Sequence, residues 1–311
     1  MISQLGQSVF KQCFNLKPNE SVLIVVDEYK QKEADLLFEA AKKITKKVSR
    51  LRFSGMTDNA QEPPLQVIKA LKQADVALLV TKWSLSHTKA RVAASKAGVR
   101  IASLPDVNLE MMKRTLTVDY AGIKKLSERL AKALTAGKKA EIQAPGGTDL
   151  TLSLAGRRAE ADTGDLTKKG SFGNLPAGEA FIAPIEDSVN GRLVIDGCLA
   201  DVVLDRPLTV TIKDGVMTNL SGGKAVSQLR KAVLAAGEKA KVVAEFGIGT
   251  NPQATIVPQV LEAEKVLNTC HIAFGNNTDF GGTNSAPFHT DGVVLSPTIK
   301  IDGRVLSLNN V

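Results

Sequence analysis

The feature that most limits what this chain can fold into is an alternation that runs through its first 136 residues: a short β-branched run, then a stretch of helical periodicity. SVLIVV (Ser21 to Val26) leads into Lys30 to Lys47, where Ala34, Leu37, Phe38, Ala41 and Ile44 recur at helical spacing. VSRLRF precedes Leu65 to Leu71, DVALLV (Asp75 to Val80) precedes Ser86 to Ala97, and VRIASL (Val99 to Leu104) precedes helical stretches that reach Ala136. Runs that are apolar at nearly every position need cover on both faces. Helices lying between them supply it, so the pattern predicts a small parallel sheet with right-handed crossovers. Ser86 reads as a helix N-cap and Gly98 as the stop before the next strand.

The texture changes at Gly137. Only four of the 25 glycines precede it, and short runs with turn signals replace the Ala/Lys/Leu-rich helices. KAEIQA and DLTLSL flank Pro145-Gly146-Gly147. GRLVIDG, LTVTIKDG and VMTNL follow, with Asp214-Gly215 as the sharpest hairpin signal, and one helix interrupts them over Lys224 to Ala236. The expected fold class is therefore α/β, with a parallel-sheet domain over residues 1–136 and a mixed α+β domain over 137–311.

Composition narrows the classes of function. Hydrophobic residues at 43% and charged residues at 23% are ordinary for a globular protein. The +8 net charge is partly gathered in KKITKKVSR (Lys42 to Arg50), but no aromatic residues interleave there for base stacking. Those lysines read as a solvated helix face, and no nucleic-acid partner is expected. Three cysteines, Cys13, Cys198 and Cys270, are odd in number and widely spaced, which argues for a reducing compartment. MISQLGQSVFKQCF has no basic segment leading into an apolar one, and no run of about 18 apolar residues occurs, so a cytoplasmic protein without membrane contact is expected.

Chemistry concentrates in NTCHIAFGNNTDFGGTNSAPFHTD, Asn268 to Asp291. Two of the three histidines, His271 and His289, fall in this window, and Asp291 stands two residues beyond the second. On a strand, residues i and i+2 share a face, so His289 and Asp291 project together while Thr290 points away. His271 lies in an apolar run from Thr269 to Phe274, where Cys270 beside it faces the other way and reads as core. A loop containing Gly275, Gly281 and Gly282 brings the chain back toward His289. Two imidazoles and a carboxylate are the ligand set of zinc, cobalt or non-haem iron sites. The plainer alternative is a pair of hydrogen-bonded core histidines beside a turn aspartate. The third histidine, His87, sits in SLSHTKAR on an expected first helical turn, facing either a ligand crevice or solvent.

Two further segments look like loops that bear a site. NLPAGEAFIAP (Asn174 to Pro184) places Glu179 ahead of an apolar strand, and KVVAEFGIGTNP (Lys241 to Pro252) places Glu245 at a strand end before a Gly-x-Gly turn. A carboxylate at a buried strand end needs a partner. The Gly-Ile-Gly step alone is too weak to indicate nucleotide binding.

Taken in order, NLPAGEAFIAP, AEFGIGTNP, TCHIAFG and FHTDGVV resemble the motifs of the M29 aminopeptidases, the aminopeptidase T and S family. A looser likeness extends over most of the chain. The resemblance implies that Glu179 bridges two divalent metal ions (Zn, Co or Mn), that Glu245 and His271 complete one shell, and that His289 and Asp291 hold the other ion. It also implies a homodimer acting on peptides or another small-molecule substrate, with Glu179 and Glu245 in catalytic roles. Two cations sharing a carboxylate would generate hydroxide near neutral pH and polarise a carbonyl, so a metal-dependent aminopeptidase is expected. One departure stands out: Thr278 lies near the place of the family's catalytic tyrosine, and no tyrosine follows Tyr120. Two alternatives stay open. His271, His289 and Asp291 alone suit one Fe(II), and the same superfamily includes iron-dependent dioxygenases that cleave dihydroxypyridines. A non-catalytic metal-dependent binding protein is the other.

Overall fold

The computed structural model describes residues 1–199, 202 and 204–308. The fold is mixed α/β, and the chain separates into two compact units. One comprises Met1–Ala121 with Gly164–Ala177, and the other Gly122–Thr163 with Gly178–Val311. The change in texture at Gly137 therefore does not coincide with a single cut. Most of the helix Tyr120–Ala136 belongs to the second unit, and a later segment returns to the first.

In the first unit β1 (Val22–Val26), β2 (Val48–Arg52), β3 (Val76–Val80) and β4 (Arg100–Ser103) pair in parallel in the order β2-β1-β3-β4. Central β1 and β3 are buried at every position, as strands covered on both faces must be. Two boundaries differ from the sequence reading. The first crossover helix spans Gln31–Lys42 and does not reach Lys47. The Thr45 hydroxyl is held by the carbonyls of Pro18 and Glu20, and the β1–β2 ladder begins at once with Val22 opposite Val48. Lys43, Lys46 and Lys47 thus lie on that turn, not on a helical face. The third crossover helix, Lys89–Lys96, is capped by Thr88, whose hydroxyl accepts from Arg91 N at 3.2 Å, whereas Ser86 is tied to Ser103 at 2.9 Å. His87 is accordingly an exposed loop residue just ahead of that helix.

Beyond residue 137 the strands come as β5 (Lys139–Gln143), β6 (Asp149–Ser153), β7 (Glu160–Asp162), β8 (Phe172–Asn174), β9 (Glu179–Ile182), β10 (Asn190–Ile195), β11 (Leu208–Lys213), β12 (Val216–Ser221), β13 (Val243–Gly249), β14 (Thr269–Gly275), β15 (His289–Leu295), β16 (Thr298–Ile301) and β17 (Arg304–Val305). β8 joins β4 in parallel and completes the first unit's sheet. The other strands build two antiparallel sheets of the second unit, ordered β12-β11-β10-β6-β5-β16-β17 and β15-β14-β13-β9-β7. The β11–β12 hairpin turns at Asp214 and Gly215, with φ of 50° and 73°, the left-handed pair that a two-residue turn requires.

These two sheets share one core. Leu150, Leu193, Ile195 and Val210 pack with Phe246, Ile248, Cys270, Ile272, Phe274 and Val294, and the helix Tyr120–Ala136 adds Leu126, Leu130 and Leu134. Each of the larger side chains contributes about 1.5–3 kcal/mol by leaving water. Strand alternation then has a strict consequence: because Phe246, Ile248, Cys270, Ile272 and Phe274 face this core, Glu245, Gly247, His271 and Ala273 share the opposite face. Among the described residues no helix is long and apolar enough to cross a membrane.

Candidate metal centre

The face of β9, β13, β14 and β15 that turns away from the core carries all five acidic and imidazole residues singled out in the sequence. Glu179 starts β9, Glu245 and His271 lie within β13 and β14, and His289 and Asp291 are the first and third residues of β15. Register brings them together with small residues between. Ala273 pairs with Glu245 on one side and Asp291 on the other, Gly275 pairs with His289, and Gly247 separates Phe181 from His271. His289 and Asp291 share a face as the i, i+2 spacing requires.

Glu245 does not end its strand, and the Gly-Ile-Gly step is not a turn. Both glycines lie in β13, and close approach explains each of them. A Cβ on Gly247 would stand 1.9 Å from His271 Nε2, and one on Gly249 would stand 2.1 Å from the Val266 carbonyl oxygen. The imidazole of His271 lies across Gly247, which carries its Nε2 toward the strand that bears Glu179.

The ligand atoms converge. His271 Nε2 is 3.2 Å from Glu245 Oε1 and 3.3 Å from Glu179 Oε2, and His289 Nε2 is 3.4 Å from Asp291 Oδ1 and 3.6 Å from Glu245 Oε2. Two overlapping groups result, Glu179/Glu245/His271 and Glu245/His289/Asp291, each with ligand atoms within 4.8 Å of one another. His289 Nδ1 is 2.9 Å from the Asn276 carbonyl oxygen, which can only accept. That contact places the hydrogen on Nδ1 and directs Nε2 inward.

A feature absent from the sequence reading is Lys265, 1% exposed. It donates to Glu179 Oε1 and, at 2.7 Å, to Glu264 Oε1, with Asp162 Oδ2 at 3.6 Å. Burial opposes its charge, but the three carboxylates outweigh burial and hold its pKa well above the usual lysine range. The only sequence signal was the run Glu262-Ala263-Glu264-Lys265 just before an apolar strand, which more often marks a solvated turn.

Burial lifts Glu179 to about 8 against the pull of Lys265. For His271 burial acts downward, yet the hydrogen bond to Glu245 and the charges of Glu179, Glu245 and Asp291 raise it to about 9. His289 behaves alike: burial is overcome chiefly by Asp291, then Glu245, and the group rises to about 10. Burial would raise Asp291, but His289 prevails and holds it near 2. The cluster therefore draws positive charge, which protons on both imidazoles supply in the protein alone. Glu179 Oε2 is buried with no hydrogen-bond partner. A dense set of three carboxylates and two imidazoles, all buried except His289 and with one oxygen left over, fits a divalent cation.

The loop between β14 and β15 is built to hold this geometry. Glu186 Oε1 accepts from Thr283 N at 2.6 Å and from Asn277 Nδ2 at 3.1 Å, while its other oxygen pairs with Arg157, which also donates to the Gly281 carbonyl. Asn284 donates to the Gly275 carbonyl at 2.6 Å. Thr278 is exposed, its hydroxyl bonded to Asn276.

A family model described as NicX, 2,5-dihydroxypyridine 5,6-dioxygenase, matches residues 1–309. The chain belongs to this family. Among curated proteins, the 2,5-dihydroxypyridine 5,6-dioxygenase of Pseudomonas putida KT2440 is 24% identical over 267 residues, 81% of this chain and 74% of that protein. A solved structure of 2,5-dihydroxypyridine dioxygenase from the same strain superposes with a TM-score of 0.82 at 20% identity, covering all of this chain and 96% of that one. Wild-type AmpT from Thermus thermophilus follows with 0.67 at 16% identity, covering 98% and 99%.

Membership in the dioxygenase family overturns the expected hydrolase. The aminopeptidase T likeness survives as a likeness of fold, and the reading of the chain as an aminopeptidase, metallopeptidase or protease is corrected to an enzyme of an oxidoreductase family. The physical reason is that the four motifs specify the ligand-bearing strands and their glycines, which either chemistry can use.

Proposed function

We propose that this protein opens the ring of a dihydroxylated pyridine with O2, using one Fe(II) held by His271, His289 and Asp291. The observation that carries the reading is the family match along residues 1–309, on a chain whose two overlapping ligand groups, Glu179/Glu245/His271 and Glu245/His289/Asp291, between them offer the two imidazoles and the carboxylate that suit mononuclear Fe(II) in oxygenases. Bound there, Fe(II) would supply open positions at which O2 and a hydroxylated ring meet.

The chain's own groups have definable tasks in this reading. The Asn276 carbonyl keeps the proton of His289 on Nδ1 and leaves Nε2 as a ligand. Asp291, held near pKa 2, stays anionic at any working pH. Glu179 Oε1 is occupied by Lys265, which leaves Oε2, buried and without a hydrogen-bond partner, as the oxygen that would exchange a proton with a substrate hydroxyl. Glu245, whose oxygens lie 3.2 Å and 3.6 Å from the two Nε2 atoms, adds negative charge that would balance the cation.

The test uses protein reconstituted with Fe(II) under argon and then supplied with 2,5-dihydroxypyridine and O2. Equimolar consumption of both, with two labelled atoms from ¹⁸O₂ in the ring-opened product, is expected, and aminoacyl-p-nitroanilides should remain intact with Zn²⁺, Co²⁺ or Mn²⁺. Failure to consume O2 with iron bound would refute the proposal.

A further inference from the structure

Two half-buried phenylalanines border the cluster and take no part in holding an ion. Phe181 stands two residues after Glu179 on β9, hence on the same face, and it pairs with Gly247, across which His271 lies. Phe280, from the turn Thr278–Phe280, meets Phe181 edge to face at 5.5 Å and 80°, and meets His289 at 6.2 Å and 87°. The pair thus extends from the strand bearing Glu179 to the imidazole of His289, the one member of the cluster with substantial exposure, its side chain 34% accessible.

Both rings are only partly buried, so each leaves part of its surface beside the cluster open to a flat group. The position of Phe280 is also held firmly. Gly281 follows it in the left-handed conformation at φ 95°, its carbonyl taken by Arg157, and a Cβ on Gly282 would come within 1.9 Å of Asn277, which the Glu186 carboxylate anchors. A side chain held this way costs little entropy on binding.

From this geometry we infer that Phe280 and Phe181 are specificity-determining residues: they form the aromatic wall on which a planar six-membered ring packs as it enters the cluster. The inference rests on the proposed ring-cleaving function and names the residues that select its substrate class. An aromatic wall favours flat heterocycles through ring packing and offers nothing to a peptide's amide and carboxylate groups.

Anaerobic calorimetry with 2,5-dihydroxypyridine on the iron-loaded protein separates binding from turnover. Phe280→Ala is expected to raise Kd and KM on the order of tenfold with kcat changed less than about twofold. Phe280→Tyr, which keeps the ring, should bind as wild type does, and iron content and circular dichroism should be unaltered in both. Should Phe280→Ala fail to fold, Phe280→Leu and Phe181→Leu, which retain bulk without an aromatic face, take its place with the same expected loss. Unchanged Kd in these variants overturns the inference while leaving the function intact, and so does loss of iron from Phe280→Ala, which would make the ring a mere support for His289. If iron-loaded wild type neither binds nor consumes the ring, the proposed function fails and the inference with it.

Discussion

Replacing Gly247 with alanine tests the cluster through one methyl group. The added Cβ would lie 1.9 Å from His271 Nε2, 2.2 Å from its Cε1 and 2.8 Å from its Cδ2. Ordinary carbon contacts need roughly 3.5 Å, so the ring must retreat by about 1.5 Å. The obstacle is the far end of a side chain and not backbone, so the fold itself should absorb the change at a cost of about 1–3 kcal/mol, the usual range for overpacking. The ligand geometry cannot absorb it, because the displaced atom is the one that faces Glu245 and Glu179. A loss of roughly 10- to 100-fold in Fe(II) or Zn²⁺ affinity is expected, comparable to losses from disturbed support of a metal ligand. Chelator competition gives the affinity, and thermal unfolding of the metal-free protein gives the stability. Gly249→Ala is the contrasting control: its Cβ would meet the Val266 carbonyl oxygen at 2.1 Å, so its damage should appear in the fold first. Wild-type metal affinity in folded Gly247→Ala would show that His271 Nε2 does not face the ion.

Four further outcomes follow from the electrostatics and the loop. His271 and His289 have pKa values raised to about 9 and about 10 from 6.5, so metal binding at pH 7 should expel about two protons, seen as a buffer-dependent calorimetric enthalpy, and release of none would contradict the assignment. Because both values are raised, their contribution to metal-free stability is complete below pH 6.5 and is lost as pH rises through 9 and 10, so Tm should fall over that window and recover when Zn²⁺ is added. Lys265→Met leaves Glu179, Glu264 and Asp162 without their buried cation and should cost roughly 3–5 kcal/mol in urea unfolding, whereas a change under about 1 kcal/mol would mean that water already reaches Nζ. Glu186→Ala removes the anchor of the loop that holds the Asn276 carbonyl against His289. Weaker metal binding with an intact core is expected, and unchanged affinity would uncouple the loop from the site.

The sequence by itself determined what depends on neighbours along the chain. Fully apolar runs such as VALLV require cover on both faces, so the parallel sheet was legible. The i, i+2 step from His289 to Asp291 fixes their common face on any strand, and Cys270 had to point away from His271. Scarcity made the histidines conspicuous. The tertiary structure decided what depends on register and burial. Nothing local says that Ala273 will stand between Glu245 and Asp291, that Gly247 is bare because an imidazole crosses it, or that Lys265 in a charged run is 1% exposed. Those facts arise from residues distant along the chain that meet at one register and in one buried cluster. The chemistry was the least legible of all, because Glu179, Glu245, His271, His289 and Asp291 fit a divalent cation whichever reaction follows, and Phe181 and Phe280 come to border them only through the folded sheet and its loop.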